Sequence, residues 1–191
     1  MKRRGIVFGF FITLLAVVLV AGPWGLPAPA QRSSQVGPPL RNRVNQFDPV
    51  VMPDATAYSV FTTDDATPHQ VWYRISGGDA LFRQRLRVFK ENAPPRPVNQ
   101  LPPLSELEHE ITTNAPTEWF AFPVQRGVVT YYFDGDNRVS PSTPWRDAFG
   151  LKVRRTRYGN GHLFELGFED KDILDDYNDL EVEVVIIQPA L

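Results

Sequence analysis

Cysteine is absent from all 191 residues, which excludes a disulfide framework, a thiolate metal site, a cysteine nucleophile and a lipoprotein anchor. Histidine occurs three times, as the isolated His69, His109 and His162. His109-Glu110 does not extend to H-E-x-x-H, so a zinc hydrolase site has no basis. The glycine-rich signatures of phosphate and dinucleotide sites and the G-x-S-x-G turn are missing as well. Carboxylates are plentiful, but nothing selects two of them as the acid and base of a glycosidase. The expectation is a protein that is not an enzyme. Fixed-period repeats are absent, and so is any helical stretch long enough for a βαβ crossover.

What the chain does have begins with a basic Lys2-Arg3-Arg4, an apolar run from Ile6 to Ala21 and the small-x-small signal Ala28-Pro29-Ala30. Residues 1–30 therefore read as a signal peptide. The apolar run is short for a membrane span, and Gly22, Pro23 and Pro27 interrupt it. The protein is expected to be exported to a periplasmic, cell-surface or extracellular location, touching the membrane only if this segment stays uncleaved. Of 20 Lys plus Arg, cleavage removes three and leaves 17 against 22 Asp plus Glu, a formal charge of −5. A mildly acidic chain lacks the basic face on which nucleic-acid binding rests.

Residues 31–56 hold Pro38, Pro39, Pro49 and Pro53 among polar residues and read as a proline-rich linker. A β-sandwich domain is expected over 57–187. Ala57 to Thr62 and Gln70 to Ile75 are rich in aromatic and β-branched residues and suggest a hairpin. Ala80 to Lys90 fits strand alternation and a helical face equally well. Pro94, Pro95, Pro97, Pro102 and Pro103 then allow a subdivision at 93–116, with a short helix possible from Leu104 to Glu110. Trp119 to Pro123, Gly127 to Phe133, Leu151 to Tyr158, His162 to Phe168 and Leu180 to Ile187 have strand length and strand punctuation. In the last of these, Leu180, Val182, Val184 and Ile186 alternate with Glu181 and Glu183. Val185 and Ile187 break that polar face, which predicts a central or covered strand. An antiparallel β-sandwich, jelly-roll-like, follows.

The densest charge lies between the last two strands. From Glu169 to Glu183 eight carboxylates face the single base Lys171. Crowded carboxylates must be solvated, protonated, paired with bases or filled by a cation. Asp and Asn are good turn formers, so a solvated acidic loop is one reading. A calcium cage of hard oxygens is the other. Asp134-Gly135-Asp136-Asn137 offers a second acidic segment, with a plain turn as its ordinary explanation. Lys152, Arg154, Arg155 and Arg157 form the main basic cluster, available either to pair with the acids or to sit on a solvated strand face. Trp72, Tyr73, Trp119, Tyr131, Tyr132 and Trp145 belong either to a core or to a sugar-stacking platform.

Gly167-Phe168-Glu169-Asp170, then Asp176-Tyr177-Asn178-Asp179 and a Val/Ile/Leu strand, resembles the ending of the bacterial domain of unknown function 4114. Trp119 to Phe122 and Tyr131-Tyr132-Phe133 with the following Asp134 to Asn137 are similar to that family's aromatic strand and polar loop. The likeness spans about Thr117 to Ile187. It departs from the family in the spacer, where Lys171-Asp172-Ile173-Leu174 replaces a glycine-rich turn. The resemblance implies an exported β-sandwich module that binds calcium. Carried over by position, the metal ligands would be Glu169, Asp170, Asp176, Asn178 and Asp179. The function it implies is non-catalytic adhesion or assembly at the cell surface, with a surface polymer or protein as partner. A carbohydrate-binding module with structural calcium and a secreted enzyme remain alternatives.

Overall fold

The computed structural model describes residues 32–62, 67–97, 100–171 and 176–189; the expected signal peptide lies outside them. Alternation of apolar and polar residues drives the architecture. Along Gln70–Gly77, Val71, Tyr73 and Ile75 are fully buried while Trp72 and Arg74 between them are half-exposed. Such segments hide one face by packing sheet on sheet. Two antiparallel sheets result, and the fold is an all-β sandwich.

The larger sheet contains β1 (Arg32–Ser34), β2 (Arg43–Gln46), β3 (Val50–Pro53), β5 (Gln70–Gly77), β8 (Trp119–Ala121), β11 (Gly150–Tyr158), β12 (Gly161–Glu169) and β13 (Leu180–Ile187). Its order is β1-β8-β5-β13-β12-β11-β2, with β3 also pairing β11. The smaller sheet contains β4 (Ala57–Phe61), β6 (Arg83–Glu91), β7 (Leu107–Thr112), β9 (Thr130–Arg138) and β10 (Arg146–Asp147). There β9 is central, flanked by β6 on one side and by β4 and β10 on the other. Between the sheets lie Tyr73, Ile75, Leu151, Leu166, Phe168, Val182 and Val184 from the larger and Val60, Leu86, Val88, Tyr131 and Phe133 from the smaller.

Strand β13 occupies the central position that its sequence predicts. Val185 is flanked by Trp72 on β5 and Leu163 on β12, so apolar neighbours cover it on the outer face.

Four expectations differ from the structure. The segment read as a linker over 31–56 supplies three short strands: β1 closes one edge of the larger sheet, and β2 and β3 close the other. The prolines punctuate these strands, and edge positions tolerate a missing N–H. Residues 57–62 and 70–75 do not form a hairpin, because β4 pairs β9 in one sheet and β5 pairs β13 in the other. Residues 93–116 do not divide the domain, since β7 pairs β6; the expected helix there is a single 3-10 turn, Leu104–Glu106, leading into that strand. Asp134 to Asn137 is no turn but the second half of β9. Its acids face arginines in register: Asp134 opposes Arg87, and Asp136 opposes Arg85. Cross-strand pairing sets a guanidinium beside each of these buried acids, which a turn would have left in water.

Candidate metal centre

At the end of β12 the chain leaves the sheet through Glu169 and Asp170, and it returns to β13 through Tyr177, Asn178 and Asp179. Two close approaches shape this gap. Residue 167 is glycine because a Cβ there would lie 2.1 Å from the Tyr177 carbonyl oxygen. Tyr177 itself adopts φ 56°, the left-handed region that non-glycine residues enter only when their surroundings demand it. Together they fold the returning chain back over β12, and the acids at the two ends meet. Residues 172–175 lie outside the described residues.

Glu169, Asp170 and Asp179 each contribute a carboxylate oxygen to a group in which these atoms lie within 4.8 Å of one another. All three residues are buried, at 1%, 1% and 5% exposure. In each carboxylate one oxygen is held by a protein N–H. The Tyr177 amide donates to Glu169 Oε2 (3.3 Å), the Asp170 amide to Asp179 Oδ2 (2.8 Å), and Gln84 Nε2 to Asp170 Oδ2 (2.8 Å). Gln84 belongs to β6, so the other sheet reaches across the sandwich to fix Asp170. The second oxygen, Asp170 Oδ1, is buried and accepts no hydrogen bond from the described residues.

Burial pushes the Asp170 carboxyl above its ordinary pKa and the Asp179 charge pushes it further; Lys171, Gln84 and the Phe82 backbone N–H act in the opposite sense. Neither Asp170 nor Asp179 forms an ion pair with a base among the described residues. Three buried carboxylates whose oxygens lie together make a donor set of hard oxygens, which fits calcium better than zinc or copper.

The other two residues expected at the site line a neighbouring groove. Asp176 is exposed, with Lys152 Nζ 3.4 Å from its carbonyl oxygen. It borders a groove of about 430 Å³ on the outer face of the larger sheet, together with Asn178, Arg74 and Arg154. Asn178 is half-buried, and its carbonyl accepts the Asp79 N–H at 2.9 Å. Two arginines of the basic cluster have contacts elsewhere. Arg154 faces Glu165 at 3.9 Å, and Arg155 lies over the Phe47 ring.

The second acidic group, Asp134, Asp136 and Asp147, differs in kind. Arg87 Nη2 lies 2.6 Å from Asp134 Oδ2, and Arg85 Nη2 lies 2.5 Å from Asp136 Oδ2. Two guanidiniums already occupy the space a cation would take. The aromatic residues are similarly committed: Tyr73 and Tyr131 are core, and Trp145 has Arg85 and Arg138 over its ring at 4.4 and 4.3 Å.

Gln84 is the site residue that the sequence reading missed. A signal exists, because Gln84 stands two residues before Leu86 and Val88 on the face those residues bury. A polar residue on an apolar face implies a buried partner. Comparison with family models, curated proteins and solved structures found no match to this chain.

Proposed function

We propose that this chain is an exported, non-catalytic β-sandwich protein that binds Ca2+ through Glu169, Asp170 and Asp179 and serves adhesion or assembly at the cell surface. The observation that carries the metal is the buried trio of carboxylates with Asp170 Oδ1 left without a partner among the described residues. An isolated buried carboxylate is costly unless paired, and three together are more so. A divalent cation supplies the missing charge and takes its ligands from oxygen. The surface setting rests on the signal-like N-terminus and on the resemblance over residues 117–187. The absence of disulfides gives the ion a purpose, since an ion that binds only the folded chain adds its binding free energy to stability.

Thermal melting in excess CaCl2 and in chelator tests the reading. A rise in Tm with calcium that disappears in Asp170→Asn and in Asp179→Asn supports it. Identical melting of the wild type in both conditions rejects it.

A further inference from the structure

Besides Asp170 Oδ1, a second side-chain oxygen is orphaned at the same end of the core. Asn137, near the end of β9, is 1% exposed, and its Oδ1 is buried without a hydrogen-bond partner among the described residues. Its orientation follows from the contact on the other side of the amide. Asn137 Nδ2 donates to the Asp147 carbonyl at 3.4 Å; a carbonyl only accepts, so the nitrogen must face it and Oδ1 must point away.

Register then places that oxygen. Asn137 is directly opposite Gln84 in the β9–β6 ladder, and directly opposed residues of an antiparallel pair project on the same face with Cβ atoms about 5 Å apart. That face is the inner one: two residues earlier on β9, the Cα of Gly135 lies against the Phe168 ring of β12, where an added Cβ would be 2.5 Å from it. Two residues beyond Phe168 is Asp170, and the Gln84 amide holds it. Asn137 and Asp170 are thus both neighbours of Gln84, one beside it on the same sheet and one across the gap. Each carries a buried oxygen that accepts no hydrogen bond from the described residues.

We infer that Asn137 Oδ1 is a ligand of the same calcium ion, contributed by the smaller sheet, so that the ion joins the two sheets of the sandwich. This rests on the calcium reading above and extends it by naming a neutral ligand from the opposite layer. Amide carbonyl oxygens are ordinary calcium ligands and bring no further repulsion to a site already holding three acids. Two acceptors without a described donor, both beside Gln84, ask for a donor or a cation. The neighbouring donor, Gln84 Nε2, is already committed to Asp170 Oδ2 and the Phe82 carbonyl.

Calorimetric titration of the full chain with CaCl2, after chelator treatment, tests the inference on the wild type, Asn137→Ala, Asn137→Asp and Asp170→Asn. Expected are a Kd weakened about tenfold or more in Asn137→Ala with unchanged stoichiometry, a tighter Kd in Asn137→Asp, and lost binding in Asp170→Asn. If Asn137→Ala does not fold, Asn137→Asp decides alone, because an added charge in the first coordination sphere must change the Kd. Wild-type affinity in both Asn137 variants, with binding lost in Asp170→Asn, overturns the inference and leaves the calcium site standing. No binding by the wild type overturns both.

Discussion

Gln84 Nε2 and Asp170 Oδ2 are 2.8 Å apart across the interior of the sandwich, a buried hydrogen bond between residues 86 positions apart in sequence. It is a direct side-chain link between the smaller sheet and the acidic pocket. Replacing Gln84 by Ala leaves Asp170 with fewer donors while it is still buried. The expected loss is about 1–3 kcal/mol of unfolding free energy in chelator, measured by urea denaturation. A change below a few tenths of a kcal/mol would mean the bond contributes nothing.

Asp170→Asn should act in opposite directions with and without metal. The folded state holds the carboxylate under burial and the Asp179 charge, so removing its charge relieves repulsion. An asparagine amide can also donate to a neighbouring carboxylate. In chelator the variant is expected to melt higher than the wild type, and in calcium lower. A variant that melts lower in both conditions contradicts the account of a repulsive apo pocket.

Asp134 titrates far from its usual range. Burial raises its pKa, Asp136 raises it further and Arg87 lowers it, with a result of about 7. Because the folded pKa lies above the unfolded one, the native state binds more protons between about pH 4 and 7, and this group's contribution to stability falls as pH rises through that window. Carbon-13 detection of the Asp134 carboxyl should give a midpoint near 7. Asp134→Asn should flatten the pH dependence of stability over the same range; an unchanged slope would assign it to other groups. Arg87→Leu should be the more damaging change, about 3–5 kcal/mol, by leaving buried acids without their partner.

Two glycines separate stability from the site. Gly135→Ala presses a methyl group against the Phe168 ring, and Gly167→Ala presses one against the Tyr177 carbonyl. Overpacking costs about 1–3 kcal/mol in each case. Only the second displaces the chain that carries Asp179 to Asp170. Gly167→Ala should therefore diminish the calcium-dependent rise in Tm, and Gly135→Ala should leave that rise intact. Equal calcium responses in the two variants would refute this division.

Much of the fold is legible where alternation is local. Leu180 to Ile187 announces both its inner face and, through Val185 and Ile187, its central place. What is not legible depends on partners distant in sequence. Asp134-Gly135-Asp136-Asn137 looks like a turn until Arg85 and Arg87 are set opposite it, and no local pattern reveals that pairing. β1 to β3 look like linker because edge strands bury little and so carry no apolar alternation. At the site, Glu169, Asp170 and Asp179 were visible as acids. That Asp176 turns outward follows from the conformation of Tyr177, which composition does not encode.

The place of β13 sets a schedule. The strand that divides the larger sheet down its middle follows all the other described strands in sequence, and its partners β5 and β12 have only β8 and β11 to pair with until it arrives. A chain emerging N-terminus first holds two half-sheets that cannot close, since the contacts joining them span more than a hundred residues of sequence. Closure of the larger sheet waits for β13, and Asp179 stands just ahead of that strand in sequence. The acidic pocket is therefore complete only when the larger sheet is closed, so an ion captured there would favour the closed sheet over its two separate halves.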